Sequence, residues 1–389
     1  MYEAEKKAIH FGAGNVGRGF IGPLLSNSGY HVVFSDVDNG IIHELNERNS
    51  YDVHILDKKE HSEPITHISG VNSQTDDVVD ELADPRVDIV TTAVGPRILE
   101  KIAPTIAKGL SARRKANGGR INIIACENMV GQTAHLSRCV SEHLSPEDRA
   151  WVDENVGFAN CSVDRIVPPS ESGDRLDVGV EGFYEWVVDE SMLKKEVRVN
   201  GMKLTKDLEG YIERKLFSLN CGHAICAYIG YIKGYKTIDE AIKDPSIHDV
   251  VQGALKEGGH ALIKKHHFDP AEHDEYTKKI IHRFENPRLK DEVSRVGRQP
   301  LRKLGKEDRL LGPANMAKGY RLPIDNLTRG IAAAFLYDVQ DDDQSVELQE
   351  KIRGMGIGKA VQDVIGWEEG SPEHTQVLKA HQELQEVSR

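Results

Sequence analysis

One stretch of this sequence places an amine, an amide and an imidazole at helical spacing: Tyr211-Ile-Glu-Arg-Lys215-Leu-Phe-Ser-Leu-Asn220-Cys-Gly-His223. On an ideal α-helix Asn220 lies about 140° and His223 about 80° round from Lys215, so the three share a face. Leu216 and Leu219 fall on the same side, which predicts that this face turns inward. Burial disfavours an ammonium and lowers its pKa, which makes a lysine usable as a base near neutral pH. The competing reading is structural: a snorkelling lysine above an asparagine and a histidine that satisfy each other.

A base needs a partner reaction, and the first residues of the chain suggest one. Ala8-Ile-His-Phe11 reads as a short buried strand running into Gly12-Ala-Gly14-Asn15-Val16-Gly17, then a helical segment, then the strand His31-Val-Val-Phe-Ser35 ending at Asp36. Strand, GxGxxG, helix, strand and an acidic residue about 20 positions on form the context of a dinucleotide-binding loop. Gly12 permits the tight turn, Gly14 lets a pyrophosphate approach the backbone, and Gly17 lets helix and strand pack closely. The Asp36 carboxylate accepts from ribose hydroxyls and repels a 2′-phosphate, which predicts NAD rather than NADP. Asp38 shares that role or caps the next helix.

The elements that position these groups divide the chain in two. A polar helix over 41–49 precedes Val53-His-Ile55 and Ile65-Thr-His-Ile68, which alternate as in a hairpin. Val87–Val94 and Ile121–Ala125 are β-branched runs separated by helical segments, which predicts a parallel, doubly wound sheet. Ligands gather beyond the carboxyl ends of such strands, so Ala93, Val94 and Gly95 are expected against the cofactor, with Asn128 at the same rim as an amide donor or a turn residue. Asp177–Glu181 and Tyr184–Val188 read as strands that complete the sheet, and Asp164-Arg165 as a buried structural ion pair, the favoured reading, or a site-facing carboxylate. From about residue 200 the periodicity becomes helical, over 206–231, 238–243, 248–266, 270–285, 326–339 and 345–355. The expected organisation is an α/β, Rossmann-type domain over 1–195, extended, followed by a mostly α-helical substrate domain over 196–389.

Composition narrows the partners. With 389 residues the chain exceeds what one core usually supports. A net charge of −12 argues against nucleic acid or an anionic membrane as partner. The first residues hold no apolar signal core and no run is long enough to span a membrane, so a cytoplasmic protein is expected. Five cysteines form no CxxC pair, and no cysteine–histidine set stands out at ligand spacing, so neither a disulfide framework nor a metal is expected. One basic cluster, including Arg295, Arg298, Arg302 and Lys303, interrupts the acidic background and offers forks suited to a phosphate.

Taken in order, the glycine loop, Cys126-Glu-Asn128, Val163-Asp-Arg-Ile-Val-Pro168, Lys215-x4-Asn220-x2-His223 and Arg283-Phe-Glu-Asn-Pro287 closely resemble the polyol-specific long-chain dehydrogenases, nearly end to end. The resemblance implies zinc-independent oxidation of a polyol with NAD taking the hydride. It maps the family's catalytic lysine to Lys215, its two oxyanion-binding asparagines to Asn128 and Asn220, its substrate-binding histidine to His223, and its sheet aspartate to Asp164. Within the family, the Arg295–Leu304 run and the compact length look like the members acting on D-mannitol 1-phosphate. The longer mannitol 2-dehydrogenases and the hexuronate reductases are the near alternatives. A small-molecule sugar phosphate and a monomer are the partners and state so implied.

Two rivals come from other classes. Tyr211-x3-Lys215 is also the tyrosine–lysine pair of short-chain dehydrogenases, but the glycine loop is of the GxGxxG form and the pair falls in the helical half. A nucleotide-sensing regulator with a Rossmann fold and no catalysis would not require the Lys, Asn and His set.

Overall fold

The computed structural model describes residues 6–169 and 173–387; the opening residues read for a signal segment lie outside them. The chain divides into two compact units, Met1–Leu208 and Glu209–Arg389.

In the first unit the strands are β1 (Lys7–Phe11), β2 (His31–Asp36), β3 (Tyr51–Ile55), β4 (His61–Ile65), β5 (Ile68–Asn72), β6 (Val87–Thr92), β7 (Ile121–Ala125), β8 (Val156–Phe158), β9 (Cys161–Asp164), β10 (Val178–Val180), β11 (Glu185–Asp189) and β12 (Met202–Thr205). The helices are α1 (Gly22–Asn27), α2 (Asn39–Arg48), α3 (Asp77–Ala83), α4 (Leu99–Lys115), α5 (Gln132–Ser141) and α6 (Pro146–Asn155). The main sheet has the order β5-β2-β1-β6-β7-β8 and is parallel throughout. This is the doubly wound arrangement expected, and the strand order reverses between β1 and β6, where such sheets open a ligand crevice.

Successive residues of each strand point to opposite faces, and the sheet separates two cores accordingly. Ala8, Phe34, Ile89 and Ile124 pack on one face with Tyr51, Val178 and Trp186. Ile9, Phe11, Val33, Val90 and Ile123 pack on the other with Leu82, Ile106 and Leu136. Each fully buried aliphatic side chain contributes about 1.5–3 kcal/mol, so this layer is a rigid platform for the loops at its carboxyl edge.

Three local readings change. The hairpin partner of β3 is β4, while Ile68 begins β5, which joins the main sheet beside β2. β10 pairs with β3, and β11 pairs with β9 and β12, so these strands build two further three-stranded sheets and do not complete the main one. Alternation marks a segment as a strand, but it carries no information about which edge it joins.

The second unit is helical, as expected, but the long helix predicted over 206–231 is interrupted. α7 (Leu208–Arg214) passes into a π-helix over Lys215–Asn220, which continues as α8 (Cys221–Ile232). α9 (Ile238–Ile242), α10 (Pro245–His266), α11 (Pro270–Phe284), α12 (Val293–Val296), α13 (Pro300–Lys303), α14 (Leu311–Gly319), α15 (Asp325–Ala334), α16 (Asp343–Met355), α17 (Ile357–Ile365) and α18 (Pro372–Val387) follow. Leu310-Leu-Gly-Pro313 conceals α14 from a sequence reading, since Gly and Pro usually punctuate. Among the described residues no helix is long and apolar enough to cross a membrane.

Candidate active site

The glycine loop is built from β1 upward. Gly12 has φ +102°, and a Cβ there would collide with the Ala93 carbonyl oxygen, so the loops leaving β1 and β6 touch at glycine. A Cβ on Gly17 would collide with the Gly12 carbonyl and lie 2.8 Å from His10 Nε2, an imidazole buried so completely that its pKa falls to about 3. Gly14 differs, because a Cβ there meets no protein atom within 4 Å. The helix opens at Asn15 and Val16 and passes into a π-turn over Gly17–Ile21. First-turn amides have no intrahelical acceptor and can receive a pyrophosphate. The open space at Gly14 beside those amides therefore fits a dinucleotide phosphate.

Asp36 sits at the end of β2, where its carboxylate accepts from the Ala13 amide at 2.7 Å and the Asp38 amide at 3.0 Å. These bonds fix its orientation and leave carboxylate lone pairs for a ribose hydroxyl. Asp38 caps α2 through the Gly40 and Ile41 amides and also pairs with both oxygens on Arg175, which the sequence reading did not single out. Buried Arg18 braces the loop by donating to the Ala13 carbonyl at 2.8 Å and to the Leu176 carbonyl.

Glu127 was likewise missed as a functional group, although it stands within the quoted Cys126-Glu-Asn128. It is buried and accepts from Thr92 Oγ1 at 2.7 Å and the Val94 amide at 2.8 Å, which ties the ends of β6 and β7 together. Burial pushes its pKa up against the pull of those donors. Ala93 and Val94 thereby hold fixed positions beside Gly12, and exposed Asn128 follows Glu127 directly in the loop between β7 and α5. Arg165 donates to the Glu181 and Gly19 carbonyls at 3.0 Å each.

In the second unit, Lys215 opens the π-helix and Asn220 closes it. The Cys221 amide donates to the Leu216 carbonyl five residues back. The wider turn shortens the arc between Lys215 and Asn220 below the roughly 140° of a straight α-helix, so the pair converges more than expected. Such π-turns occur often at functional sites. Both side chains are half-buried, above buried Phe217, Ser218 and Leu219.

Arg214, one residue earlier, is buried with its guanidinium 4.0 Å from the Tyr276 ring centroid, 4.7 Å from Tyr211 and 5.5 Å from Phe268. Cation–π packing of this kind anchors the entry to the π-turn, and the Tyr211 ring is part of the cage.

His223 stacks on Phe284 at 5.1 Å between centroids, and its Nε2 is paired with Asp291. Asp291 in turn pairs with Arg295. Burial opposes ionisation of Asp291, but the His223 hydrogen bond and charge and the Arg295 guanidinium outweigh it and hold the carboxyl below its ordinary pKa. An ionised Asp291 accepts the hydrogen on Nε2, which leaves Nδ1 as the ring's other polar atom. Sequence spacing gave no signal for Asp291, an acidic residue inside a basic run and 68 positions from its partner.

The four cations expected to hold a phosphate separate in the structure. Arg295, Arg298 and Arg302 are exposed on the segment from α12 to α13. Lys303 is corrected from a surface cation to a buried one: its ammonium donates to the Val296 and Arg298 carbonyls. Burial, with Arg309 and Arg302 nearby, pushes its pKa down to about 7. It braces the segment that carries Arg295 and Arg298.

Two family models match this chain: the mannitol dehydrogenase Rossmann domain over residues 6–201 and the mannitol dehydrogenase C-terminal domain over residues 207–385. A substrate-free crystal structure of D-sorbitol dehydrogenase shares the fold with a TM-score of 0.84 at 16% identity, covering 99% of this chain and 95% of that one. The Pseudomonas fluorescens mannitol 2-dehydrogenase, in a ternary complex with NAD and D-mannitol, matches with a TM-score of 0.66 at 18% identity, covering 99% and 92%.

Proposed function

The chain belongs to the mannitol dehydrogenase family, and from that premise we propose that it is an NAD-dependent oxidoreductase interconverting D-mannitol 1-phosphate and D-fructose 6-phosphate. The observation that carries this reading is the π-turn that draws Lys215 and Asn220 onto one side of a helix whose next turn holds a braced His223.

When bound, NAD supplies the acceptor for the hydride. The glycine loop would hold its pyrophosphate, and Asp36 would take the ribose hydroxyls and repel a 2′-phosphate. Lys215, in its neutral form, takes the proton from the reacting hydroxyl as the same carbon loses hydride. Asn220 and Asn128 donate to the oxygen as it gains negative charge, an effect worth about 3–4 kcal/mol per donor in other enzymes. His223 presents Nδ1 to a substrate hydroxyl, with Asp291 fixing the ring. Side chains handle both the proton and the oxygen charge, so this scheme calls for no metal. In the reducing direction Lys215 returns the proton.

The phosphate assignment is supported by the chain His223–Asp291–Arg295, which sets a guanidinium one carboxylate away from the imidazole. Arg298 and Arg302 are the further candidates on the same segment; we drop Lys303 from the set. We read the enzyme as a cytoplasmic monomer. The test is kcat/KM for D-mannitol 1-phosphate against free D-mannitol, with the product identified. A preference for the phosphate of at least 100-fold is expected, about 2.8 kcal/mol of differential transition-state binding. Similar values for the two, or a preference for a hexuronate, would overturn it in favour of a mannitol 2-dehydrogenase or a hexuronate reductase.

A further inference from the structure

A second cluster with ligand chemistry lies in the first unit, apart from the residues used above. Glu100 is in the first turn of α4, and His135 and Cys139 are four residues apart on α5. His135 Nε2 lies 3.6 Å from Glu100 Oε1 and 3.8 Å from Cys139 Sγ, and one ligand atom from each residue falls within 4.8 Å of the others. The i,i+4 spacing on α5 aims imidazole and sulfur at one point, and the packing of α4 against α5 brings the carboxylate to it.

We propose that Glu100, His135 and Cys139 form a three-ligand site for a borderline-soft divalent cation of the zinc class, with the fourth position open to water. With zinc–sulfur near 2.3 Å and zinc–nitrogen near 2.0 Å, a tetrahedral centre sets its ligand atoms about 3.3–3.6 Å apart. The two separations from His135 Nε2 are within a few tenths of an ångström of that spacing, and rotation of the exposed Glu100 side chain can set its distance to Cys139. A thiolate and a carboxylate balance the charge of the cation, while the imidazole binds neutral. The thiol proton leaves to solvent as the metal binds. The Glu100 side chain is 70% exposed and that of His135 28%, so the point is reachable from water. The other four cysteines include Cys126, Cys161, Cys221 and Cys226, all buried, which makes Cys139 the accessible sulfur.

The position gives the site a consequence. α4 begins just beyond Gly95 and α5 just beyond Asn128, the two loops that Glu127 already ties together. A cation here links the first turn of α4 to both turns of α5 that carry His135 and Cys139, and restrains both loops. The sequence reading passed over the His135-x3-Cys139 pair, and its third ligand, Glu100, comes from a different helix that spacing does not reveal.

Titration of the purified chain with cobalt(II) tests it. One saturable equivalent is expected, with a near-ultraviolet thiolate-to-cobalt band that zinc displaces and a melting temperature that rises with either metal. Cys139→Ser should abolish the band and the thermal shift, and His135→Ala and Glu100→Gln should each weaken binding at least tenfold. Dehydrogenase turnover of Cys139→Ser without metal should match that of the wild type, which separates this site from the catalytic reading. Absence of saturable binding, or an undiminished band in Cys139→Ser, would overturn the proposal.

Discussion

The residue that most changes the chemical reading is Asp291. His223 alone is an imidazole on a helix; with a buried carboxylate on Nε2 and a phenyl ring under its face, its tautomer and plane are fixed. Asp291→Asn keeps the shape and removes the charge that selects the tautomer. We expect kcat/KM to fall roughly 10- to 100-fold, about 1.4–2.8 kcal/mol, with NAD affinity unchanged. The same substitution has a signature in stability. A carboxyl whose folded pKa is depressed stabilises the fold above its unfolded value, near 3.9, and loses that contribution as pH falls through the folded value. Denaturant midpoints measured from neutral pH down through the carboxylate range should therefore drop more steeply for the wild type than for Asp291→Asn. None of this was legible in the sequence, because an ion pair between residues far apart in the chain leaves no periodic trace.

Elements carry the difference between what sequence conveys and what it conceals. The conformation of the glycine loop was legible because its constraints are local: a turn, a close approach and a helix start within six residues. That locality yields a paired expectation. Gly12→Ala forces a side chain into φ +102° and against the Ala93 carbonyl, which should cost about 1–3 kcal/mol of stability by denaturant titration. Gly14→Ala meets no protein atom, so it should fold like the wild type yet bind NAD much more weakly by calorimetry. A Gly14→Ala protein with full NAD affinity would remove the pyrophosphate from this loop. The π-turn was not legible, since patterns are counted at 3.6 residues per turn and one wide turn merely shifts the phase. The segment from α12 to α13 misled in another way, since charge composition cannot tell a solvated lysine from a buried one. Lys303, with a folded pKa near 7 against an unfolded value of about 10.4, is protonated in both states below pH 7. Between those values the unfolded chain holds the extra proton, so stability should rise with pH from 7 to about 10. Lys303→Met should lack that rise, as read from the difference between the two melting curves.

On the scale of the whole molecule, the order of motifs was the strongest signal: a cofactor loop, a sheet-rim asparagine and a helical Lys-Asn-His set in that sequence fitted one family, and matches across both domains place the chain there. The number and partners of the smaller sheets were not legible, since strands announce themselves by alternation and choose edges by tertiary packing. On the proposed mechanism the first unit holds NAD and Lys215 in the second takes the proton. Tyr211, packed against Phe268 and Arg214, is left as a supporting residue. The most direct measurement is kcat/KM with D-mannitol 1-phosphate and NAD for Lys215→Met and Tyr211→Phe side by side, with NAD binding confirmed in both. The account predicts a loss of at least 100-fold for Lys215→Met, the lower end for a general base, and less than tenfold for Tyr211→Phe. A Tyr211→Phe enzyme as inactive as Lys215→Met, or a Lys215→Met enzyme that turns over normally, would contradict it.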